Sequence, residues 1–280
     1  MSLSQIAVRP AATAVRRPWV RIGLSRGLME TRQFFRARDS VAFTFALPIL
    51  FMLIFGAIFG DQPMGDGYTY SQALVPALMT FSMLSTAMVS IGYWIAIDRE
   101  NGTMRRLVAT PMPRAAYFLG KVVMVLVIGV INVSILVAVG VLLYGVQLPA
   151  TPGKWLTVVW VTLLSFTVLG VLGAAMSSLV THARSAAAVM NLPALALAFI
   201  SGIFVRYTEI PDWLYSIAAL FPVKWIAQGL RAGFLPDPFA AAEPAGSWEE
   251  GRLLLVLLAW LVAGAVLCAT TFRWKRPGDG

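Results

Sequence analysis

The sequence predicts an all-α membrane protein. Six transmembrane helices form its body. An N-terminal amphipathic interface helix precedes them, and a short cytoplasmic helix lies between helices 2 and 3. A short re-entrant helical pair sits on the outer side before helix 6. Two observations carry this class. Of 280 residues, 59% are hydrophobic and only 12% are charged, about half the charge fraction of a soluble domain. The charges are also widely spaced. No Asp, Glu, Lys or Arg lies between Asp39 and Asp61, Asp66 and Asp98, Lys121 and Lys154, Lys154 and Arg184, Arg184 and Arg206, or Arg252 and Arg273. Each gap is about 20 residues or longer, and a bilayer-spanning helix needs about 20.

A third observation sets the orientation. Eight Arg fall in residues 1–40. Arg99, Arg105, Arg106, Arg114 and Lys121 follow helix 2, Arg184 lies in the next turn on that side, and Arg273, Lys275 and Arg276 lie in the tail. With alternating helices all 17 share one side. Lys154, Arg206, Lys224, Arg231 and Arg252 take the other. This is the positive-inside pattern, so the expectation is a multi-pass plasma (inner) membrane protein with both termini cytoplasmic. The same distribution accounts for the net charge of +9 without a nucleic-acid partner.

Residues 1–40 read as a cytoplasmic tail and interface helix, and 41–280 as the transmembrane domain. No apolar core precedes Val41, so no cleavable signal is expected. No apolar h-region closely follows Arg16-Arg17, which argues against a twin-arginine address. Residues 15–38 mix Arg with Trp19, Ile22, Leu24, Leu28, Phe34 and Phe35. That composition suits a helix lying in the headgroup layer, although its apolar stripe is not clean at helical period. A disordered basic tail is the alternative.

The spans are expected at about 41–60, 72–97, 115–144, 155–180, 185–205 and 253–272. Pro48 and Pro193 fall inside spans, where neighbouring groups can satisfy a freed carbonyl, so a kink is expected and not a break. The exit DQPMGDGYTY and the turn QLPATPGK are outer connections. Residues 206–252 differ. Two apolar pieces, WLYSIAALF and WIAQGLRAGF, flank Pro222-Val223-Lys224, and each is too short to span. They form either a re-entrant pair buried in protein or two interfacial helices lying flat. An outer loop at 236–250 follows.

The chemistry of several classes is missing. No charged residue sits mid-span, whereas ion-coupled carriers bury such residues on their pathway. Asn132, Ser165, Thr167, Asn191 and Ser201 are neutral, and residues of this kind mostly bond across helices or to their own backbone. His182, the only histidine, lies at a cytoplasmic helix end, away from Ser201 near an outer end. An intramembrane Ser-His protease is therefore not expected. No Gly-Lys-Ser/Thr phosphate loop occurs. Cys268 is the lone cysteine, without disulfide or metal spacing. Neither cofactor nor metal is expected, and any transport energy must come from a partner.

One stretch carries more local structure than a charged anchor needs: ENGTMRRLVATPMPRAAYFLGK, from Glu100 to Lys121. Gly102 breaks the preceding helix and Thr103 suits an N-cap. Met104, Leu107 and Val108 then share one face, while Arg105 and Arg106 face elsewhere. Thr110-Pro111 ends the helix. Spacing alone leaves two readings, a basic anchor at the lipid surface or a docking element for a cytoplasmic partner.

The pattern E-x-G-T-x-R-R-L-x-x-T-P with Gly120-Lys121 beyond it resembles the cytoplasmic loop of type-2 ABC exporter permeases, most of all the daunorubicin-resistance-like permeases. The likeness covers nearly the whole chain. In IPDWLYSIAALFPVKWIAQGLR, Pro211, Trp213, Pro222 and Arg231 match the family's late outer segment. The resemblance implies a non-catalytic permease subunit that pairs with a second permease copy, or a related permease, and with two copies of a cytoplasmic ABC ATPase subunit. It implies export of an amphipathic drug, lipid or glycolipid. It also implies that the N-terminal helix and the loop residues Glu100, Gly102, Thr103, Met104, Arg105, Arg106, Leu107, Val108, Thr110 and Pro111 couple to the ATPase. Membrane lipids would be the remaining partner. Polysaccharide-exporting relatives share this size and topology. A carrier or channel not coupled to ATP is the rival from another class.

Overall fold

The computed structural model describes residues 18–65, 68–180, 182–205 and 210–272. Arg9, Arg16, Arg17, Asp66, Arg206, Arg273, Lys275 and Arg276, which entered the charge argument, lie outside them. The helices are α1 (Trp19–Arg36), α2 (Arg38–Phe59), α3 (Tyr70–Met83), α4 (Ser90–Glu100), α5 (Thr103–Val108), α6 (Arg114–Tyr144), α7 (Pro152–Met176), α8 (Ala183–Ile200), α9 (Asp212–Ala218), α10 (Pro222–Phe234) and α11 (Glu250–Thr271). Among the described residues six helical stretches are long and apolar enough to cross a membrane: 38–59, 70–100, 114–144, 152–179, 183–200 and 250–271. All six expected spans are present. The fifth ends earlier than expected, at Ser201-Gly202, where Gly202 turns with φ 77°. The helix itself continues through Pro193. The exit loop after the first span also holds a two-stranded antiparallel ladder, β1 (Pro63–Gly65) with β2 (Tyr68–Thr69).

Alternation of the spans is visible in the contacts. At one end the close of α4, the start of α6 and the 177–183 turn meet α1 and the close of α11. At the other end residues 60–72, 145–154 and 228–249 meet. These are termed the loop side and the far side.

The spans are not equivalent. The second, α3 to α4, is the hub: 83% of its apolar window is buried, against 17% for α2 and 22% for both α8 and α11. Midway it passes through a π-helical turn, Leu84–Val89, a widened form often found where a helix does work. The π turn packs on α7, where Gly173 admits it. A Cβ on Gly173 would stand 2.3 Å from the Met88 carbonyl oxygen.

α1 lies against α6. Its buried face is Gly23, Gly27, Glu30, Thr31 and Phe34, while Trp19, Leu24, Leu28 and Phe35 are exposed. That explains the unclean apolar stripe. Apart from Phe34 the inward face is made of small and polar residues, and most of the large apolar ones are left to face out. Close approach demands the glycines, since a Cβ at Gly27 would stand 2.6 Å from Val123 Cβ. Asn132 donates to the Thr44 carbonyl of α2 at 3.0 Å, and Thr167 and Asn191 bond to their own helices.

Candidate functional site

The loop between α4 and α6 is short and fastened at several points. α4 runs on to Glu100, and Gly102 makes the turn at φ 68°. Gly102, not Thr103, occupies the N-cap position. Thr103 is the first helical residue and caps nothing with its side chain. Instead its hydroxyl accepts from Arg106 at 3.3 Å, and Arg106 also reaches the Asn101 carbonyl at 3.5 Å. Here Gly102 makes the corner in left-handed geometry and Thr103 is already helical, so the cap falls one position earlier than expected. Thr110 donates to the Leu107 carbonyl at 2.7 Å and closes the helix before Pro111.

The expected apolar face divides. Met104 is fully buried in the protein's own core, Leu107 is half-buried, and Val108 is 53% exposed. Met104 therefore anchors α5 to the bundle and is closed to a partner. Leu107 and Val108 remain accessible, flanked by exposed Arg105 and Arg106. A groove of about 440 Å³ runs beside them, between α1, α4, α5 and α6. Arg26, Gln33, Phe34, Trp94, Arg106 and Leu107 are among the residues along it.

Under this groove lies an ionic knot. Lys121 of α6 contacts Glu30 of α1 at 3.1 Å and Asp98 of α4 at 2.8 Å. Arg26 pairs with Glu30 at 2.8 Å. The Tyr117 hydroxyl donates to Asp98 at 2.9 Å, and Arg26 lies 4.8 Å over the Tyr117 ring. Lys121 and Glu30 are almost wholly buried. Each charge has an opposite charge within contact, as burial requires. The knot thus ties α1 to both arms of the loop.

A second fastening reaches the next turn on that side. Arg99 donates to the Ser177 carbonyl at 2.9 Å and lies 5.8 Å over the Phe272 ring. The Glu100 carboxylate accepts from the Ala183 backbone N–H at 2.6 Å, so it satisfies an orphan donor at the start of α8. Of the residues singled out in the sequence, Glu100 and Met104 hold the loop in place. Arg105, Arg106, Val108, Thr110 and Pro111 are exposed. Sequence reading missed Arg26, Glu30, Asp98 and Tyr117. The available signal was Glu30, the one acid among the Arg residues of the first 38.

On the far side α10 is enclosed. All thirteen of its residues are buried, against α3, α7 and α11. Pro222 occupies its first turn, where the missing N–H costs nothing. Arg231 pairs with Glu243 at 2.8 Å, both buried. Lys224 donates to Gln228 at 2.5 Å and stands 3.9 Å from Glu249. Burial lowers the Lys224 pKa to about 8 and raises that of Tyr215 to about 12. Pro211 caps α9, and Trp213 is 67% exposed.

Residues 27–235 match the family model described as ABC-2 type transporter. The chain belongs to the ABC-2 type transporter family. The match takes in α1 from Gly27, five of the six spans, the loop and α10. Curated relatives are named as transport permeases. "Probable multidrug ABC transporter permease YbhR" of Escherichia coli K12 is 23% identical over 168 residues, 60% of this chain and 45% of that protein. "Inner membrane transport permease YadH" of the same strain is 24% identical over 192 residues, 66% of this chain and 72% of that protein. The chain's match thus spans about half the length of YbhR. As an ABC-2 family member with six helical stretches long and apolar enough to cross a membrane, it is a multi-pass membrane protein.

Proposed function

We propose that this chain is the membrane subunit of an ATP-driven exporter. It works with two copies of a cytoplasmic ABC ATPase and with a second permease copy or a related permease. The observation that carries the reading is the fastening of the loop. A floppy connection would absorb a partner's motion, whereas this one is tied to α1, α4, α6 and α8 through Glu30, Asp98, Lys121, Arg99 and Glu100. ATPase closure would push on Leu107, Val108 and the adjoining groove, and the knot would carry the push into α1 and the buried second span. On the far side, α9 and α10 act as a re-entrant gate, a reading supported by the complete burial of α10. The loop side is cytoplasmic by its Arg/Lys excess, and the membrane is the plasma membrane. The cargo is an amphipathic drug, lipid or glycolipid. The apolar spans and the word multidrug in one relative's name support that class, and the order of the loop and late-segment motifs supports the daunorubicin-resistance-like subgroup.

The test is transport per ATP hydrolysed in reconstituted vesicles. Val108→Asp and Leu107→Ala should weaken ATPase association about tenfold or more, and Arg106→Ala less, because buried apolar anchors outweigh rim charges. A Gly inserted after Thr110 should keep the complex assembled and lower the transport-to-hydrolysis ratio. Wild-type binding and ratio in all of these would reduce the loop to a charged anchor. Transport abolished by an uncoupler at constant ATP would point to a secondary carrier. For orientation, single cysteines at Gly246 and at Thr103 in a Cys268→Ser background should differ. An impermeant thiol reagent should label only Gly246 in sealed cells, and labelling of Thr103 would reverse the topology.

A further inference from the structure

The turn between α9 and α10, residues 219–221, lies well below the far side. Trp260 of α11 meets it, ten residues on from Glu250, about 15 Å at 1.5 Å per residue. The other arm agrees. α10 climbs twelve residues from Pro222 to Phe234, whose carbonyl accepts from Gln72 at 3.0 Å on the far side, a rise of about 18 Å. Between these points Gly229 fits against α11, where an added Cβ would stand 2.6 Å from Leu253 Cδ1. α10 and α11 thus run antiparallel. On the re-entrant reading proposed above, the turn lies about half-way through a hydrocarbon core about 30 Å thick. Bare backbone is costly there, because no water is at hand to satisfy it, and a helix leaves its last carbonyls without partners of its own. Four successive carbonyls of this turn each have one. Those of Ile217 and Ala218 accept from the Leu220 and Phe221 backbone N–H groups at 3.1 and 3.0 Å. The next two accept from tryptophan indoles, Ala219 from Trp225 and Leu220 from Trp260, both at 2.8 Å.

The two indoles are not equivalent. Trp225 belongs to α10 and is buried, with Lys224 Nζ 3.6 Å over its ring, so it travels with the turn. Trp260 belongs to another helix, and its ring also stacks on Phe221 at 6.0 Å. Leu220 is 68% exposed, so this edge of the turn is not enclosed by other parts of the chain. We infer that Trp260 is the positioning residue of the re-entrant turn: its indole N–H holds the Leu220 carbonyl at depth, and the gate opens by releasing that bond. The second half rests on the gate reading proposed above, and the first half only on the re-entrant placement.

The test follows the turn with a thiol. In sealed cells, Leu220→Cys in a Cys268→Ser background should react slowly with an impermeant thiol reagent, because an apolar setting suppresses the thiolate. Trp260→Phe keeps a ring against Phe221 and removes the N–H. Water must then reach the Leu220 carbonyl, and labelling should speed up about tenfold or more. Benzothienylalanine at position 260 matches the indole in shape and lacks only the N–H, so it should do the same. Leu163→Cys, exposed at similar depth on α7, should stay slow in every background, and Gly246→Cys should stay fast. In the complex reconstituted with its ATPase, both changes at Trp260 should lower transport per ATP hydrolysed about threefold or more. Unchanged Leu220 labelling, or a rise shared equally by Leu163, would overturn the role of Trp260. So would fast labelling of Leu220 with Trp260 in place, since the turn would then lie at the surface. Faster Leu220 labelling with a wild-type transport ratio would keep Trp260 as the positioning residue and overturn the gate.

Discussion

Both ends of the molecule bury charge, but they bury it differently. On the loop side Glu30, Asp98 and Lys121 come from three helices, Glu30 far from the other two in sequence, and a single lysine joins the two carboxylates. On the far side Arg231 and Glu243 lie twelve residues apart, and Lys224 and Glu249 belong to the same late stretch. The far-side charges close a local cap over α10. The loop-side charges join elements that otherwise have separate routes to the bundle. Two sites of similar burial thus have different mechanical reach, and the difference lies in which elements share a partner.

The largest expected effect breaks the loop-side knot. Lys121→Met leaves part-buried Asp98 without a cation and buried Glu30 with Arg26 alone, which costs about 3 kcal/mol. The thermal midpoint of the purified protein should fall sharply, and α1 should become more open to proteolysis. Adding Glu30→Gln and Asp98→Asn should restore much of the midpoint while transport stays uncoupled. If the triple variant transports normally, the knot is only a stabilising contact. The far side should respond less. Glu243→Gln keeps an oxygen for the Arg231 Nε–H and should cost about 1–3 kcal/mol, with α1 proteolysis unchanged. A rise in α1 cleavage in that variant would erase the contrast between the two ends.

The smallest effect is a pH dependence on the far side. Burial sets the Lys224 pKa at about 8, below its ordinary 10.5. Between those values the folded protein has released a proton that the unfolded chain still holds, so stability should rise with pH. Glu249 and Glu243 oppose the lowering, and Arg231 and Arg252 add to it. Tyr215, held at about 12 by burial, acts in the other direction above pH 10. The window is therefore pH 8 to 10. Thermal midpoints across it should climb in the wild type and flatten in Lys224→Met. Identical slopes would mean that the lysine stays hydrated.

Much of the fold was legible because membrane spans announce themselves locally. Six charge-free gaps gave six spans, most ends agreeing within a few residues. The loop helix was legible from Gly102 and Pro111, and its cap was misplaced by one residue because the left-handed conformation of Gly102 is not written in the residue type alone. Met104 looked like a docking residue because periodicity marks an apolar face without saying what covers it. The knot was illegible for another reason. Glu30, Asp98 and Lys121 meet only after α1 lies across α6, and that approach depends on Gly23 and Gly27 leaving room for Leu119 and Val123. The burial of α10 is likewise a tertiary fact, since its sequence suits an interfacial helix equally well.

The π turn at Leu84–Val89 has a consequence for how this protein can vary. A π turn holds one more residue than the α-helical turn it replaces, so the hub span carries a spare unit of length in mid-membrane. Removing one residue there would tighten the turn while leaving both halves facing as they do. Elsewhere in an α-helical span the same deletion would rotate everything beyond it by about 100°, turning buried Ile91 and Ile95 toward new neighbours. The second span is the most enclosed of the six, and it is also the one whose length the chain can adjust without redrawing its interior.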